Sequence, residues 1–259
     1  LTRECYNRYL SHMVYRSSNP ALNPQYFQGG MAAERMTLDG TINKTLTLLG
    51  LVSIAAMLSY SICIQNPGFG LMMSFGAAIV GAVLAVVILF VRPNNPQIMM
   101  GLYALIEGLF VGGFSYMVEN YYLGGSEGVV LQALVGTVAV FLTMLTVYKF
   151  GIIKPTEKFV LVVCSLVGAI MIVYVFNFIL MLFGTTVPFL HSSGPIGIGI
   201  SVVFITVAAL MLIVDFGMIE NGVKFGAPKN MEWYGAFGLV LTLVWLYLEM
   251  LKLIAKLRD

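Results

Sequence analysis

Residues 158–183 read KFVLVVCSLVGAIMIVYVFNFILMLF, and Lys158 at the first position is the only charged residue among them. A helix needs about 20 predominantly apolar residues to cross the hydrocarbon core of a bilayer. This stretch is longer than that, and it predicts a transmembrane helix.

Six further apolar runs lie near residues 43–64, 70–91, 98–117, 128–148, 195–218 and 234–254. Short segments rich in proline, glycine and asparagine, such as Asn66-Pro67-Gly68, separate them. These loops leave no room for an extramembrane domain. We therefore predict an all-α integral membrane protein, with a seven-helix transmembrane domain at 42–259 and a cytoplasmic N-terminal segment at 1–41.

The composition supports a membrane protein and excludes several other classes. Hydrophobic residues make up 59% and charged residues 10%, against about 45–50% and about 25% in soluble domains. The net charge of +2 is too small for a nucleic-acid binder. Cys5, Cys63 and Cys164 have no spacing that suggests a disulfide framework or a zinc site. No catalytic motif is present, so we expect neither an enzyme nor a resident cofactor.

The basic residues predict the orientation. All but the last three of the 14 Lys and Arg residues lie in the N-terminal segment or at loops on the same side of the bilayer. The positive-inside rule then places the N-terminus in the cytoplasm. The exceptions are Lys252, Lys256 and Arg258, which lie outside if there are seven spans and inside if the last apolar run is only a half-span.

The N-terminal segment has a helical pattern of its own. Its apolar residues follow one face of a short amphipathic helix, with arginines on the margins. The residues concerned are Tyr6, Tyr9, Leu10, Met13, Val14 and Tyr15, with Arg3, Arg8 and Arg16. We expect this helix to lie on the cytoplasmic surface.

Three acids fall inside apolar runs, where a charge costs several kcal/mol or more unless it is paired or hydrated. At about 1.5 Å per residue, Asp215 lies roughly 7 Å and Glu107 roughly 15 Å from the cytoplasmic interface. Glu249 lies roughly 16 Å deep if its span begins at Gly238, but roughly 24 Å deep if it begins at Trp233. Only the first placement favours a common cluster.

Each of these residues also has a structural interpretation. Asp215 could reach the interface as an end-of-helix acid, whereas Glu107 and Glu249 could be hydrogen-bonded between helices. Arg92 could serve only to fix the topology. Asn177, in the middle of an aromatic run, predicts an interhelical hydrogen bond. The glycines at 108 and 112 form a G-x-x-x-G pattern that predicts close helix packing.

Four segments carry a resemblance to a known family. They are SNPALN at 18–23, MTLDGTINKT at 36–45, APKNMEWY at 227–234 and WLYLE at 245–249. Together they resemble the bacterial branch of the Bax inhibitor-1, or transmembrane Bax inhibitor motif, family over nearly the whole chain. The resemblance implies seven helices with the last one central, and a pH-sensitive calcium leak in the bacterial inner membrane.

The resemblance also implies roles for individual residues. Asp215 and Glu249 match the two acids that form the family's pH sensor, and Arg92 matches a basic residue that can pair with them. Glu249 departs from the usual Asp by one methylene. Glu107 belongs to this branch only, and we expect it to line the same aqueous pocket. Two carboxylates held close share a proton near neutral pH, which makes such a pair sensitive to pH.

The predicted function is a passive, pH-gated cation leak channel whose passenger is Ca²⁺, bound only transiently. One alternative is a regulator without transport, which binds a membrane-anchored ATP-dependent protease, with residues 1–41 as the docking element. Another is a proton-coupled or small-solute transporter. The lipid bilayer is the one partner that the composition itself requires, and the oligomeric state is left open.

The orientation can be tested by cysteine labelling in a background that lacks the three native cysteines. A cysteine at Ser192 should react with an impermeant reagent from outside, and one at Lys154 should not. A cysteine at Arg258 should react from outside, because only seven spans place it there. The reverse pattern would exclude the predicted orientation.

Overall fold

The computed structural model describes residues 34–91, 95–125, 128–185, 187, 190 and 192–258. This part of the chain forms seven membrane-length helices: α1 (Leu38–Gln65), α2 (Pro67–Val91), α3 (Pro96–Met117), α4 (Val129–Lys149), α5 (Glu157–Leu182), α6 (Pro195–Lys224) and α7 (Met231–Arg258). A π-helical turn, Val118–Tyr122, extends α3. All seven helices are long and apolar enough to cross a bilayer, which confirms the predicted multi-pass membrane fold.

The helices begin where local sequence signals place them. Thr37 caps α1, since its hydroxyl oxygen accepts a hydrogen bond from the Gly40 backbone N–H at 3.0 Å. Pro96 and Pro195 begin α3 and α6, where the missing N–H of proline costs nothing. Helix α7 begins at Met231, seven residues before Gly238. Whether α7 enters the membrane near Trp233 or near Gly238 stays a prediction.

Helix α7 is the central helix of the bundle, as the family resemblance implies. It packs against α1, α3, α4 and α6. In its most apolar stretch of 18 residues, 56% of the residues are buried, a larger share than in the corresponding stretch of any other span. Phe237 on α7 is 1% exposed, and its ring meets that of Tyr103 on α3 edge-on. We call the end of the bundle where α1 and α7 begin the inner end, and the opposite end the outer end.

Glycines let α3 approach α1 closely. A Cβ atom on Gly108 would lie 2.4 Å from the Val52 carbonyl oxygen, and one on Gly112 would lie 2.1 Å from that of Ala56. Any side chain at these positions would push the two backbones apart. This confirms close packing as the role of the G-x-x-x-G pattern.

Two backbone hydrogen bonds, which we call the clamp, hold the inner end of α7 in place. The Met36 N–H donates to the Ala227 carbonyl at 2.8 Å, and the Lys229 N–H donates to the Glu34 carbonyl at 2.9 Å. The residues just before α1 thus pair with the loop between α6 and α7. Outside the spans, a hydrogen bond to the Glu34 carboxylate raises the pKa of Lys229.

A buried carboxylate joins α7 to α1 beside this clamp. Glu232 is 1% exposed, and it accepts hydrogen bonds from the backbone N–H and the hydroxyl of Thr37, each at 2.9 Å. It also forms an ion pair with Lys44, whose ammonium lies over the Trp233 ring. A Cβ atom on Gly40 would lie 2.3 Å from a carboxylate oxygen of Glu232. Glycine at position 40 therefore leaves room for this group.

Two substitutions in α1 test whether the Glu232 carboxylate stabilises the fold. We expect Gly40→Ala to lower the free energy of unfolding by about 1–3 kcal/mol, because the added methyl displaces a buried, bonded carboxylate. Gly50→Ala is the matched control, since no atom lies within 4 Å of a Cβ there. It should be neutral or stabilising by up to about 1 kcal/mol, because alanine is the better helix former. Denaturant unfolding in detergent measures both, and equal effects would contradict the role of Glu232.

Candidate functional site

A stripe of polar residues runs along α7 through the middle and outer parts of the bundle. Its members are Thr242, Glu249, Lys252 and Lys256, whose spacings of seven, three and four place them on one helical face. Their partners belong to α5, to α6 and to the segment just before α6. The stripe is the main polar feature in the interior of the described structure, and we take it as the candidate site.

Asp215 on α6 meets the inner part of this stripe. Its side chain is 5% exposed, and its Oδ2 lies 2.7 Å from the hydroxyl oxygen of Thr242. Its Oδ1 faces Gly238, where an added Cβ atom would lie 3.9 Å away. The carboxyl group is therefore enclosed between α6 and α7, and a water-facing, snorkelling position is excluded.

The Thr242 hydroxyl has two oxygen neighbours but only one hydrogen. Besides Asp215 it lies 3.2 Å from the carbonyl oxygen of Gly238, one turn earlier on α7. If Asp215 is ionised, the hydroxyl donates to it. If Asp215 carries a proton, the carboxyl group donates to the hydroxyl, which is then free to donate to Gly238. The same heavy-atom positions thus serve both protonation states.

Glu249 lies further along α7 and has a different set of partners. It is 2% exposed and accepts hydrogen bonds from the Tyr174 hydroxyl, from the Trp245 indole N–H at 3.2 Å and from the Lys252 ammonium at 2.6 Å. The Lys252 ammonium also lies 2.8 Å from the Tyr174 hydroxyl and 4.7 Å from the centre of its ring. Glu249 is therefore held in an ion pair on its own helix and closed off by an aromatic residue of α5.

The structure does not bring Asp215 and Glu249 into one hydrogen-bonded pair. Thr242, the partner of Asp215, precedes Glu249 by seven residues, which is about 10 Å of helix rise. Glu249 therefore lies about two helical turns beyond the level of Asp215. In place of one cluster with a shared proton, the described residues form two separate clusters.

Of the other two predicted residues, Glu107 joins neither cluster, and Arg92 lies outside the described residues. Glu107 is on α3, and one of its carboxylate oxygens lies 3.2 Å from where a Cβ of Gly81 on α2 would be. It therefore faces the contact between α2 and α3 rather than the contact between α6 and α7.

Asn177 has a role at the end of α5. Its side-chain oxygen accepts a hydrogen bond from the backbone N–H of Val187 at 3.0 Å. The side chain thus ties the helix to the segment that follows it. The interhelical hydrogen bond predicted for Asn177 stays a prediction.

Sequence reasoning missed Thr242, Tyr174 and Lys252 as partners of the two acids. For Lys252 a signal was present, because an acid and a lysine three residues apart on a helix are neighbours. It was read only as a topological marker. For Thr242 and Tyr174 no local signal exists, since their contacts join different helices.

The described residues contain no cluster of three or more His, Cys, Asp or Glu side chains that could hold a metal ion. Asp215 and Glu249 each offer carboxylate oxygens, the ligands that hard cations such as Ca²⁺ take. In the described structure, Asp215 is hydrogen-bonded to Thr242, and Glu249 is paired with Lys252.

A comparison with protein families gives one extensive match. The model of a family described as Bax inhibitor 1 like matches residues 19–259, nearly the whole chain. No curated protein matches the chain significantly.

Two variants of the outer cluster test the ion pair at Glu249. We expect Lys252→Met to lower the free energy of unfolding by roughly 3–5 kcal/mol, because it leaves a buried carboxylate without its cation. Adding Glu249→Gln should restore most of the loss, since no charge then needs compensation. Lys224→Met is the control, because its pair with Glu220 is largely exposed and should contribute little. If the double variant were no more stable than Lys252→Met, the pairing would not explain the loss.

Proposed function

The chain belongs to the Bax inhibitor 1 like family, and from this premise we propose that it is a passive, pH-sensitive leak for Ca²⁺. The observation that carries the proposal is the contact between Asp215 on α6 and Thr242 on the central helix α7. It places a titratable group inside the bundle, on a partner that accepts either protonation state. No catalytic role is proposed.

The closed state is the one in which Asp215 is protonated. The neutral carboxyl group donates to Thr242, Thr242 donates to Gly238, and no uncompensated charge lies between α6 and α7. Loss of the proton leaves a carboxylate that is 5% exposed and accepts one hydroxyl hydrogen bond. Such a group requires water or a cation for its remaining lone pairs. Hydration of this contact separates α6 from α7 and opens the inner part of the pathway.

The second step is at Glu249. A cation that leaves Asp215 toward the outer end meets a carboxylate already neutralised by Lys252. The cation must displace the lysine to bind there, so the ion pair limits flux through the open state. Lys252 thus acts as the counter-cation of Glu249, a role that the family resemblance assigned to Arg92.

Arg92 and Glu107 have lesser roles in the proposed leak. Arg92 follows the last residue of α2 in the sequence, and we assign it the role of a counter-cation to Asp215. Glu107 carries its charge on α3 and draws cations toward the bundle without belonging to the Asp215 contact.

Flux of Ca²⁺ into proteoliposomes between pH 6 and 8 tests the proposal. Wild-type flux should rise with pH, because the open state has lost the Asp215 proton. Asp215→Asn should give low and pH-independent flux, since an amide has no proton to lose in this range.

Thr242→Val should raise flux at pH 6, because it removes the hydrogen bond that holds the closed state. Lys252→Met should raise flux at all values of pH where the protein is folded.

Glu157→Gln is the matched control, because Glu157 is exposed at the first turn of α5 and should leave the profile unchanged. A wild-type pH profile in Asp215→Asn would remove Asp215 as the sensor. If wild-type vesicles of confirmed orientation and incorporation carried no cation, the leak itself would be wrong. Copurification of a membrane protease, lost on truncation of residues 1–33, would then support the regulator without transport.

A further inference from the structure

Lys256, near the outer end of α7, is held by three oxygen atoms. Its ammonium group donates to the Leu190 carbonyl at 2.8 Å, to the Gly197 carbonyl at 3.0 Å and to the Ser201 hydroxyl oxygen at 2.9 Å. An ammonium group has three hydrogens to donate, and here each has an acceptor. Ser201 is 2% exposed, so the acceptors form a partly enclosed pocket around the charge.

No carboxylate is among the three acceptors. The nearest acid on the same helix, Glu249, already binds Lys252, and Lys252 itself is a like charge one turn away from Lys256. Among the described residues, the ammonium is therefore held by neutral oxygen atoms and not by an ion pair. Backbone carbonyls are also the groups with which proteins replace the hydration shell of monovalent cations.

The geometry suits a monovalent cation better than Ca²⁺. The three distances of 2.8–3.0 Å exceed the 2.3–2.6 Å that Ca²⁺ takes to its oxygen ligands. Ca²⁺ sites also take carboxylates, and these acceptors are uncharged. A cation with the charge and approximate size of an ammonium ion, such as K⁺, matches both features.

We propose that the carbonyl oxygens of Leu190 and Gly197 and the hydroxyl of Ser201 form a binding site for a monovalent cation. The side chain of Lys256 fills it as a tethered cation and so joins the outer end of α7 to the start of α6. Lys256 belongs to the polar stripe of α7, but this proposal does not rest on the Ca²⁺ leak, and its test measures stability, not flux.

Removal of the lysine side chain should vacate the site for a free ion. We compare Lys256→Ala with wild type by thermal unfolding in detergent, at equal ionic strength, in the chlorides of potassium, methylammonium and N-methyl-D-glucamine. In N-methyl-D-glucamine, a cation too large to enter, Lys256→Ala should unfold about 5 °C below wild type. Potassium or methylammonium should restore at least half of this difference, while wild type should unfold at the same temperature in all three salts.

Lys256→Met is the matched control, because its unbranched side chain fills the space of the lysine stem and leaves no room for an ion. It should be destabilised equally in all three salts. The double variant Ser201→Ala/Lys256→Ala should lose most of the restoration by potassium, since one of the three oxygens is gone. Equal destabilisation of Lys256→Ala in the three salts would show a merely structural lysine and overturn the proposal. If Lys256→Ala failed to fold in potassium chloride, the proposal would also be overturned, because the potassium ion should replace the lysine.

Discussion

Lipid cannot solvate a carboxylate, so each acid that α6 and α7 bring into the bundle must find its partner on a neighbouring side chain. Glu232 finds Lys44 and Thr37 near the start of α1, Asp215 finds Thr242, and Glu249 finds Lys252 and Tyr174. These partners come from α1, α5 and α7. Only a helix in the middle of the bundle can reach such different neighbours at different levels, and this requirement fixes the place of α7.

The partners differ in charge, and this difference separates structural acids from a sensor. Glu232 and Glu249 are each paired with a lysine, so each carboxylate already has a cation beside it. Asp215 is bonded to a neutral hydroxyl, which can donate to a carboxylate or accept from a carboxylic acid. The two lysine-bound acids therefore have a structural role in the proposal, and the proposed sensitivity to protons is assigned to Asp215. A sensor of this kind does not require a second carboxylate.

The fold followed from the sequence because its signals are local. Long apolar runs and the proline and glycine punctuation predicted seven spans, and Gly108 and Gly112 predicted a close helix contact. The site was predicted less well. Asp215 and Glu249 were identified, but their relative level depends on the position of α7 in the bundle, and the clamp and Glu232 hold the inner end of α7 in place. Those contacts join residues nearly two hundred positions apart, beyond the range of periodicity or spacing.

The distribution of contacts along α7 limits how the proposed leak can open. At the inner end, Glu232 and the clamp hold α7 to α1 through an ion pair, two hydrogen bonds from Thr37 and paired backbone groups. A sliding of the whole helix would break all of them at once. In the middle, Thr242 can exchange one hydrogen-bond acceptor for another by rotating its hydroxyl. In the proposed leak, opening therefore begins with this rotation and with hydration of Asp215, and it proceeds toward Glu249 while the inner end of α7 stays in place.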